Sequence, residues 1–305
     1  MFKIIFEQNI ILFIYILIGA FLAAKKKFTP AGIQHASYFL MNIALTCAVF
    51  SSFQTSFSIE KGRLIIKAAF LAVLLIGFLF MLSLILTKIL KIKLSNRPIW
   101  QDCTIFSSIL FIGIPIVDAL FGDVGLILLV AFNTVFNVAL FSFGETIFSG
   151  KLEFSFRKLM ATPAILGMLA GLVLFLLDVQ LPQVLGTPVQ ILGSFTAPLA
   201  MMINGALFYG TPLFKVLREK DTLLFCLVRL VLVPALVMLI FRPFITNDTL
   251  FSLLVLVVAM PSGSVNSVFA EKYQGKGQLA SHYIILSTLF SLITIPIVLE
   301  LSSLL

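Results

Sequence analysis

Two stretches of the sequence place polar side chains beside a proline inside an apolar run. The first is "FIGIPIVDALFG" (111–122), in which Asp118 follows Pro115 by three residues. Proline lacks a backbone N–H and its ring clashes with the carbonyl one turn back, so a helix is expected to break at Pro115. An ionisable group in such a segment usually faces a solute pathway. Both residues are candidates for substrate binding, and Asp118 also for ion coupling. Alternatively, Asp118 caps a half-helix or lies near the outer surface.

The second stretch is "AMPSGSVNSVFAEKY" (259–273), in which Pro261 precedes Ser262, Ser264 and Asn266. Hydroxyl and amide groups after a helix break can cap the half-helix that follows. Together with the N–H groups of that half-helix, they can also hold a carboxylate or a sulfonate-like headgroup. Pro261, Ser262, Ser264 and Asn266 are therefore candidate substrate-binding residues.

A further polar pair is Asn133 and Asn137, which lie one turn apart and so on one face of a helix. Ser287 and Ser291 repeat this spacing in the second half of the chain. Such groups either form hydrogen bonds between helices or face a binding site. Asn133, Asn137 and Ser287 are retained as site candidates.

Arg229 and a pair of glycines each allow two interpretations. Arg229 either supplies a counter-charge for an anion or extends to the cytoplasmic interface with its long side chain, and the second interpretation is favoured. Gly167 and Gly171 form a GxxxG pattern, which permits close helix approach either in a homodimer or within the chain.

The cysteines and histidines do not have the spacing of metal ligands or of a disulfide framework. Cys47, Cys103 and Cys226 are interpreted as small apolar residues. His35 and His282 fall near the ends of apolar segments, where they are expected to be interfacial. No metal site is predicted.

The composition indicates an all-α polytopic membrane protein. Of 305 residues, 60% are hydrophobic and 11% are charged, and the mean hydropathy is +1.15. Soluble domains carry about 25% charged residues. A membrane span needs about 20 apolar residues. Ten stretches meet this length approximately: 5–24, 33–53, 64–87, 101–121, 125–148, 159–177, 184–209, 222–241, 249–269 and 279–300.

The distribution of basic residues predicts the orientation in the cell membrane. Most Lys and Arg residues fall in alternate loops, beginning with Lys25, Lys26 and Lys27. Because basic residues accumulate in cytoplasmic loops, both termini are expected to be extracytoplasmic. The first stretch lacks a small-residue cleavage site and is interpreted as a retained span.

The two halves of the chain, 1–150 and 151–305, are predicted to be inverted repeats of five spans each. Gly19 precedes Pro30 by eleven residues, and Gly171 precedes Pro182 by eleven. At the same offset "NIALTCAVFSSF" (42–53) overlays "SFTAPLAMMING" (194–205). Similarly, "IPIVDALFGD" (114–123) resembles "PSGSVNSVFAE" (261–271), with Asp118 opposite Asn266 if the LFGD and VFAE ends are matched. Pro115 and Pro261 are interpreted as matched prolines of the two halves. Two broken helices, the fourth and the ninth, are thus expected to cross near mid-membrane and to bind a small charged solute.

The chain resembles the auxin efflux carrier family, which includes bacterial permeases for malate and malonate. The similarity covers nearly the whole chain. It rests on "GIPIVDALFG" (113–122), "FNTVFN" (132–137), "ATPAILGMLAGLVLFLL" (161–177), "LGSFTAPLAMMINGALF" (192–208), "AMPSGSVNSVFAEKY" (259–273) and "STLFSLITIPIV" (287–298). The resemblance implies a ten-span carrier with crossed broken helices that moves organic anions by alternating access or an elevator-like motion.

Three positions depart from the family pattern. Ser108 stands where family members usually have Asn, and Leu110 where they have Gly. Thr46 replaces a proline that is frequent in the second span. The resemblance makes Ser108 a candidate for substrate contact, although its side chain is shorter than that of Asn.

The expected function is therefore secondary transport of small organic anions, with H⁺ or Na⁺ as the coupling ion and no other cofactor. No phosphate-binding loop of the ATPase type is present, and enzymatic activity is not expected. The expected partners are the substrate anion and the lipid bilayer, with a homodimer as an option and no nucleic acid. A cation/proton antiporter, an intramembrane hydrolase and a non-transporting ligand sensor are the alternatives.

Overall fold

The computed structural model describes residues 2–149, 163–209, 213–263 and 265–305, and within these ranges the chain is helical without a β-strand. Ser264, a candidate substrate-binding residue, lies outside the described residues. The α-helices are Phe2–Ala24, Pro30–Phe39, Leu45–Ser52, Ile59–Ile89, Arg97–Ile105, Ile109–Ala139, Glu145–Ser149, Pro163–Leu176, Gln183–Ser194, Thr196–Tyr209, Leu213–Val216, Lys220–Leu227, Val233–Phe241, Asp248–Ala259, Val265–Gln274 and Gly277–Ser303.

Short segments of wider or tighter winding join several of these helices. Leu40–Ala44, Leu140–Gly144 and Val228–Leu232 are π-helical, so the helices on either side of each continue through it. Leu94–Asn96 and Arg242–Phe244 are 3₁₀ turns.

Seven helical stretches among the described residues are long and apolar enough to cross a membrane: Ile5–Ala24, Pro30–Ser52, Ile59–Ile89, Ile109–Ala139, Gln183–Tyr209, Lys220–Phe244 and Gly277–Ser303. Pro163–Leu176 and Asp248–Ala259 are shorter apolar helices. Large apolar side chains, such as Phe13, Leu17 and Phe21 of the first helix, are exposed on the outer surface. An apolar exterior of this kind suits a lipid environment.

The helix Ile109–Ala139 folds back on itself at Gly122. Gly122 has φ 56° and ψ −151°, a conformation that is essentially restricted to glycine. A Cβ built on Gly113 would lie 3.1 Å from the side chain of Leu129. In a straight helix these positions would be about 24 Å apart. Ile109–Ala139 is therefore not one straight span but a hairpin of two antiparallel helices, which matches the predicted division between 101–121 and 125–148.

Pro115 does not break the helix, so the predicted interruption at this residue is wrong. The helix continues through Pro115 from Ile109 to the turn at Gly122. A proline in a helix interior removes only one hydrogen bond, that to the carbonyl four residues earlier, here Phe111. The interruption lies instead at 106–108, where the backbone groups find partners in another segment of the chain.

Close backbone contact joins the first helix to Thr196–Tyr209. A methyl group at Gly19 would overlap the carbonyl of Met202, and one at Gly205 would overlap the carbonyl of Ile16. Each helix thus presents a glycine to the backbone of the other, as in tightly packed membrane helix pairs.

The GxxxG glycines are used within the chain. A Cβ on Gly167 would lie 2.8 Å from the carbonyl oxygen of Thr46, and one on Gly171 would lie 3.1 Å from that of Phe50. The GxxxG face therefore packs against Leu45–Ser52 of the same molecule. This contact decides between the two predicted roles of the motif in favour of intramolecular packing.

Candidate functional site

Two helices are interrupted where they cross in the interior of the protein. Arg97–Ile105 ends just before the crossing, and the next helix begins at Ile109. In the same way Asp248–Ala259 ends and Val265–Gln274 follows after a short gap. The two gaps meet, so that each non-helical segment lies beside the other.

The non-helical segments are paired through their backbones. Ser107 and Ser262 form an isolated antiparallel bridge. The N–H of Ser108 donates to the carbonyl of Pro261 at 2.8 Å, and the N–H of Gly263 donates to the carbonyl of Phe106 at 3.0 Å. Backbone groups away from water need partners of this kind, and the crossing supplies them.

The local sequence explains the interruption near residue 261. Pro261 has no N–H to continue the helix, and a proline disfavours the helical conformation of the preceding residue. Met260 accordingly has φ −68° and ψ 150°. Phe106, at the facing interruption, is also extended, with φ −97° and ψ 111°, but no proline adjoins it.

Ser262 and Ser287 form hydrogen bonds between the crossing and the surrounding helices. The hydroxyl of Ser262 donates to the carbonyl of Cys103 at 2.8 Å. Its N–H donates to the hydroxyl oxygen of Ser287 at 3.3 Å. Both serines are buried. These contacts give Ser262 and Ser287 a role in holding the crossing in place.

Asn266 connects the crossing to a cavity. Its amide nitrogen donates to the carbonyl of Phe106 at 3.1 Å. The side chain is 1% exposed, and its Oδ1 has no hydrogen-bond partner among the described residues. The residue therefore contributes both to the pairing of the two segments and to the wall of the cavity.

The cavity has a volume of about 110 Å³ and lies directly against the crossing. Its polar side chains are Ser107, Ser108, Asn133, Asn137 and Asn266. The remaining lining residues are apolar or glycine: Met41, Leu45, Phe106, Ile109, Leu110, Phe111, Leu140, Ala164, Gly263 and Val265. Asn133 and Asn137 are half-buried, and their side chains form no hydrogen bond within the described ranges.

Two helix N-termini point toward this cavity. Ser108 precedes the helix that starts at Ile109 and forms no side-chain capping bond. Val265 begins the other helix, and both starting residues line the cavity. A helix N-terminus has unpaired N–H groups and a partial positive charge. Two such ends together favour an anion.

Arg229 is buried at the crossing, so the predicted extension of its side chain to the membrane interface is wrong. It is 0% exposed. One terminal nitrogen, Nη1, donates to the carbonyl of Val258 at 2.7 Å, and the other, Nη2, donates to the hydroxyl of Ser107. The guanidinium thus binds a carbonyl near the C-terminal end of Asp248–Ala259, where a positive charge is favourable. It reaches the cavity only through Ser107.

The structure brings together part of the predicted set of site residues. Ser108, Asn133, Asn137 and Asn266 share the cavity, whereas Ser262, Ser287 and Pro261 belong to the crossing behind it. Asp118 is exposed close to the turn at Gly122, and neither it nor Pro115 lines the cavity. Ser264 lies outside the described residues. Substrate contact by the four cavity residues stays a prediction.

At the bridge between Ser107 and Ser262, the segment that contacts Pro261 is 106–108 and not the segment around Pro115. The pairing of Pro115 with Pro261 and of Asp118 with Asn266 as equivalent positions of two repeats stays a prediction. Ser107 was missed because no proline or glycine marks its position.

Comparison with known families gives one match that covers the chain. The family model described as "Membrane transport protein" matches residues 4–153 and 144–299. A comparison with curated proteins gives no match.

Proposed function

Because the chain belongs to the membrane transport protein family, the auxin efflux carriers, and is a multi-pass membrane protein, we propose that it is a secondary active carrier of small organic anions. The observation that carries the proposal is the cavity at the crossing. Two helix N-termini and three asparagine side chains converge on it. All of these can donate hydrogen bonds to carboxylate oxygens.

The charge distribution supports an anion rather than a cation as the substrate. Among the described residues that line the cavity, none is acidic. Arg229 is buried behind Ser107 and adds a full positive charge. In a medium of low dielectric constant, such a charge attracts an anion much more strongly than it would in water. A cation/proton antiporter would instead need carboxylates in the cavity wall.

The proposed architecture is ten spans arranged as two inverted repeats, 1–150 and 151–305. One pair of contacts supports the duplication. Gly19 packs against the carbonyl of Met202, and Gly171 packs against that of Phe50. The two glycines, Gly19 and Gly171, are 152 residues apart in sequence, and so are the two carbonyl residues, Phe50 and Met202. A contact that recurs in this way is expected when each half supplies the partner of the other.

In the proposed cycle the crossing and its cavity open alternately to the two sides of the plasma membrane, with both termini extracytoplasmic. The volume of about 110 Å³ suits a substrate with few non-hydrogen atoms, such as a mono- or dicarboxylate. Larger anions require the cavity to expand. The backbone pairing at the crossing holds the two helix N-termini at a fixed separation while the helices move.

A thermal-shift series with mono- and dicarboxylates, including malate and malonate, tests the proposal. We expect at least one carboxylate to raise the unfolding temperature of the purified protein, and Asn133→Ala to weaken this effect. Asn42→Ala is the matched control, because Asn42 is a half-buried membrane-helix residue that bonds to Tyr38 and lies outside the cavity. Stabilisation that both variants retain equally would contradict the site. The same carboxylate must then exchange across liposomes containing the protein, since binding without exchange would identify a sensor.

A further inference from the structure

Asp102 is a buried carboxyl group next to the crossing that the proposed anion site does not use. It lies in the last turn of Arg97–Ile105, and its backbone carbonyl accepts a hydrogen bond of 2.9 Å from the N–H of Phe106. Its exposure is 0%. Neither carboxyl oxygen has a hydrogen-bond partner among the described residues.

The side chains of Leu140 and Phe106 lie near this carboxyl group. A Cβ built on Gly144 would lie 3.3 Å from Oδ1 of Asp102 and at the same distance from the ring of Phe106. The same Cβ would lie 3.1 Å from the side chain of Leu140. Gly144 therefore leaves room for the carboxyl group beside the hydrocarbon of Leu140 and Phe106. Among the described residues, no group of three or more His, Cys, Asp and Glu side chains could hold a metal ion.

Other charged and titratable groups near this region have partners or positions elsewhere. Arg229 binds Ser107 and Val258, and Cys103 adjoins Asp102 on the same helix. The described titratable groups on the helices packed against Arg97–Ile105 include Glu60, Arg63, Lys67, Lys88 and Glu271, which are exposed. They also include Lys61, which bonds to Thr55; Tyr273, which stacks on Phe148; His282, which bonds to Glu219; Tyr283, which bonds to Asp221; and Glu300, which lies near the end of Gly277–Ser303. The side chains of Glu145 and Lys272 are outside the described set.

We propose that Asp102 is the proton-binding site of the carrier, an inference that rests on the proposed anion transport. An ionised carboxylate without a hydrogen bond or a cation is very costly in an apolar interior. A carboxyl group that has taken up one proton from solvent avoids this cost. In the conformation described here, Asp102 is therefore protonated, and it releases the proton to solvent when the crossing moves and water reaches it.

Asn266 provides the link between the proton and the substrate. Its amide nitrogen faces the backbone carbonyl of Asp102 at 3.5 Å and donates to that of Phe106 at 3.1 Å. The same side chain lines the anion cavity. A change at the cavity can therefore reach Asp102 through one residue.

Electrostatics fixes the direction of the coupling. A bound anion and an ionised Asp102 would repel each other in a region of low dielectric constant. The anion and the proton therefore occupy the same state of the carrier and cross the membrane together. One proton and one anion are taken up on one side and released on the other, which is proton–anion symport.

Infrared spectroscopy tests the proton site without reference to transport. The wild-type protein at neutral pH should show the carbonyl stretch of a protonated carboxyl group, and Asp102→Asn should remove that band. Asp123→Asn is the matched control, because Asp123 is exposed near the Gly122 turn. A band that is absent from the wild type, or that survives Asp102→Asn, would overturn the proposal. Should Asp102→Asn fail to fold, labelling the aspartate side chains of the wild type with ¹³C must shift the band, and an unshifted band would overturn the proposal equally.

Uptake of labelled malate and malonate into liposomes tests the coupling. With the membrane voltage held at zero, one coupled proton gives about tenfold accumulation per unit of imposed pH difference. Asp102→Asn should abolish this accumulation but retain exchange of labelled for unlabelled anion. Accumulation that persists in Asp102→Asn, or that follows a Na⁺ gradient instead, would refute proton coupling at this residue. Absence of any anion exchange by the wild type would refute the proposed function, while the infrared result would still decide whether Asp102 holds a proton.

Discussion

Replacement of Arg229 by methionine should destabilise the protein strongly, because the guanidinium is buried and makes two hydrogen bonds. Methionine removes the bond to the carbonyl of Val258 and the bond to the hydroxyl of Ser107. Each charge-assisted hydrogen bond contributes about 1.5–3 kcal/mol, and the partners left behind are buried. The expected loss of unfolding free energy is about 3–5 kcal/mol.

Two further variants separate this interpretation from an arginine at the membrane interface. Arg242→Met is the matched control, because Arg242 forms a partly exposed ion pair with Asp248 at 2.9 Å. Such pairs contribute about 0–1 kcal/mol. Ser107→Ala should cost about 1.5–3 kcal/mol in the wild type but much less in an Arg229→Met background, because the shared hydrogen bond is already lost.

The assay is reversible unfolding in detergent micelles, followed by tryptophan fluorescence and repeated for the four members of the cycle. Trp100, the one tryptophan, is buried in Arg97–Ile105 and makes an edge-to-face contact with Phe225. Its emission should therefore change when the packing around the crossing is lost. Strict additivity of Arg229→Met and Ser107→Ala would show that the two side chains do not share a hydrogen bond. Equal small losses of unfolding free energy for Arg229→Met and Arg242→Met would contradict the burial of Arg229.

Three other substitutions give distinct expectations. Gly205→Ala should cost about 3 kcal/mol or more in unfolding free energy, since the added methyl group overlaps the backbone of Ile16. The control Gly77→Ala should be neutral or stabilising by up to about 1 kcal/mol, because nothing lies within 4 Å of the added methyl group. Equal stabilities of the two variants would contradict the close contact at Gly205. Gly122→Ala should cost about 1–3 kcal/mol, because its backbone conformation suits only glycine, and an unchanged unfolding midpoint would argue against the hairpin turn. Asn133→Ala should weaken carboxylate binding about tenfold in calorimetry through the loss of one hydrogen bond of about 1–1.5 kcal/mol, and undiminished affinity would exclude this residue from the site.

The helical membrane character of the chain could be predicted from composition and apolar length, and it is confirmed. The break at Pro261 could also be predicted, because proline removes an N–H and biases the residue before it toward an extended conformation. The number of spans and the repeats stay predictions.

The interruption at 106–108 could not be predicted, because its cause is not local. Ser107 and Ser108 have no strong preference against a helix, and the break depends on hydrogen bonds to Pro261 and Gly263, which are distant in sequence. Pro115 predicted a break that the structure does not show. A helix that loses one hydrogen bond to a proline can continue when the surrounding side chains pack well.

The burial of Asp102 and Arg229 could not be predicted from the sequence either. Asp102 falls at the start of a predicted span and Arg229 inside another, positions where a polar side chain can often reach the membrane interface. Only the packing of the crossing shows that both are enclosed. In contrast, the spacing of Asn133 and Asn137 placed them on one face in advance, because helix periodicity is a local property.

A cryo-EM map of the protein in lipid nanodiscs, recorded with the carboxylate that stabilises it most, would show whether the anion binds at the crossing. We expect two interrupted helices that pair at Ser107 and Ser262, with ligand density enclosed by Ser108, Asn137 and Asn266. Continuous helices through 106–108 and 260–263, or ligand density away from this crossing, would contradict this expectation.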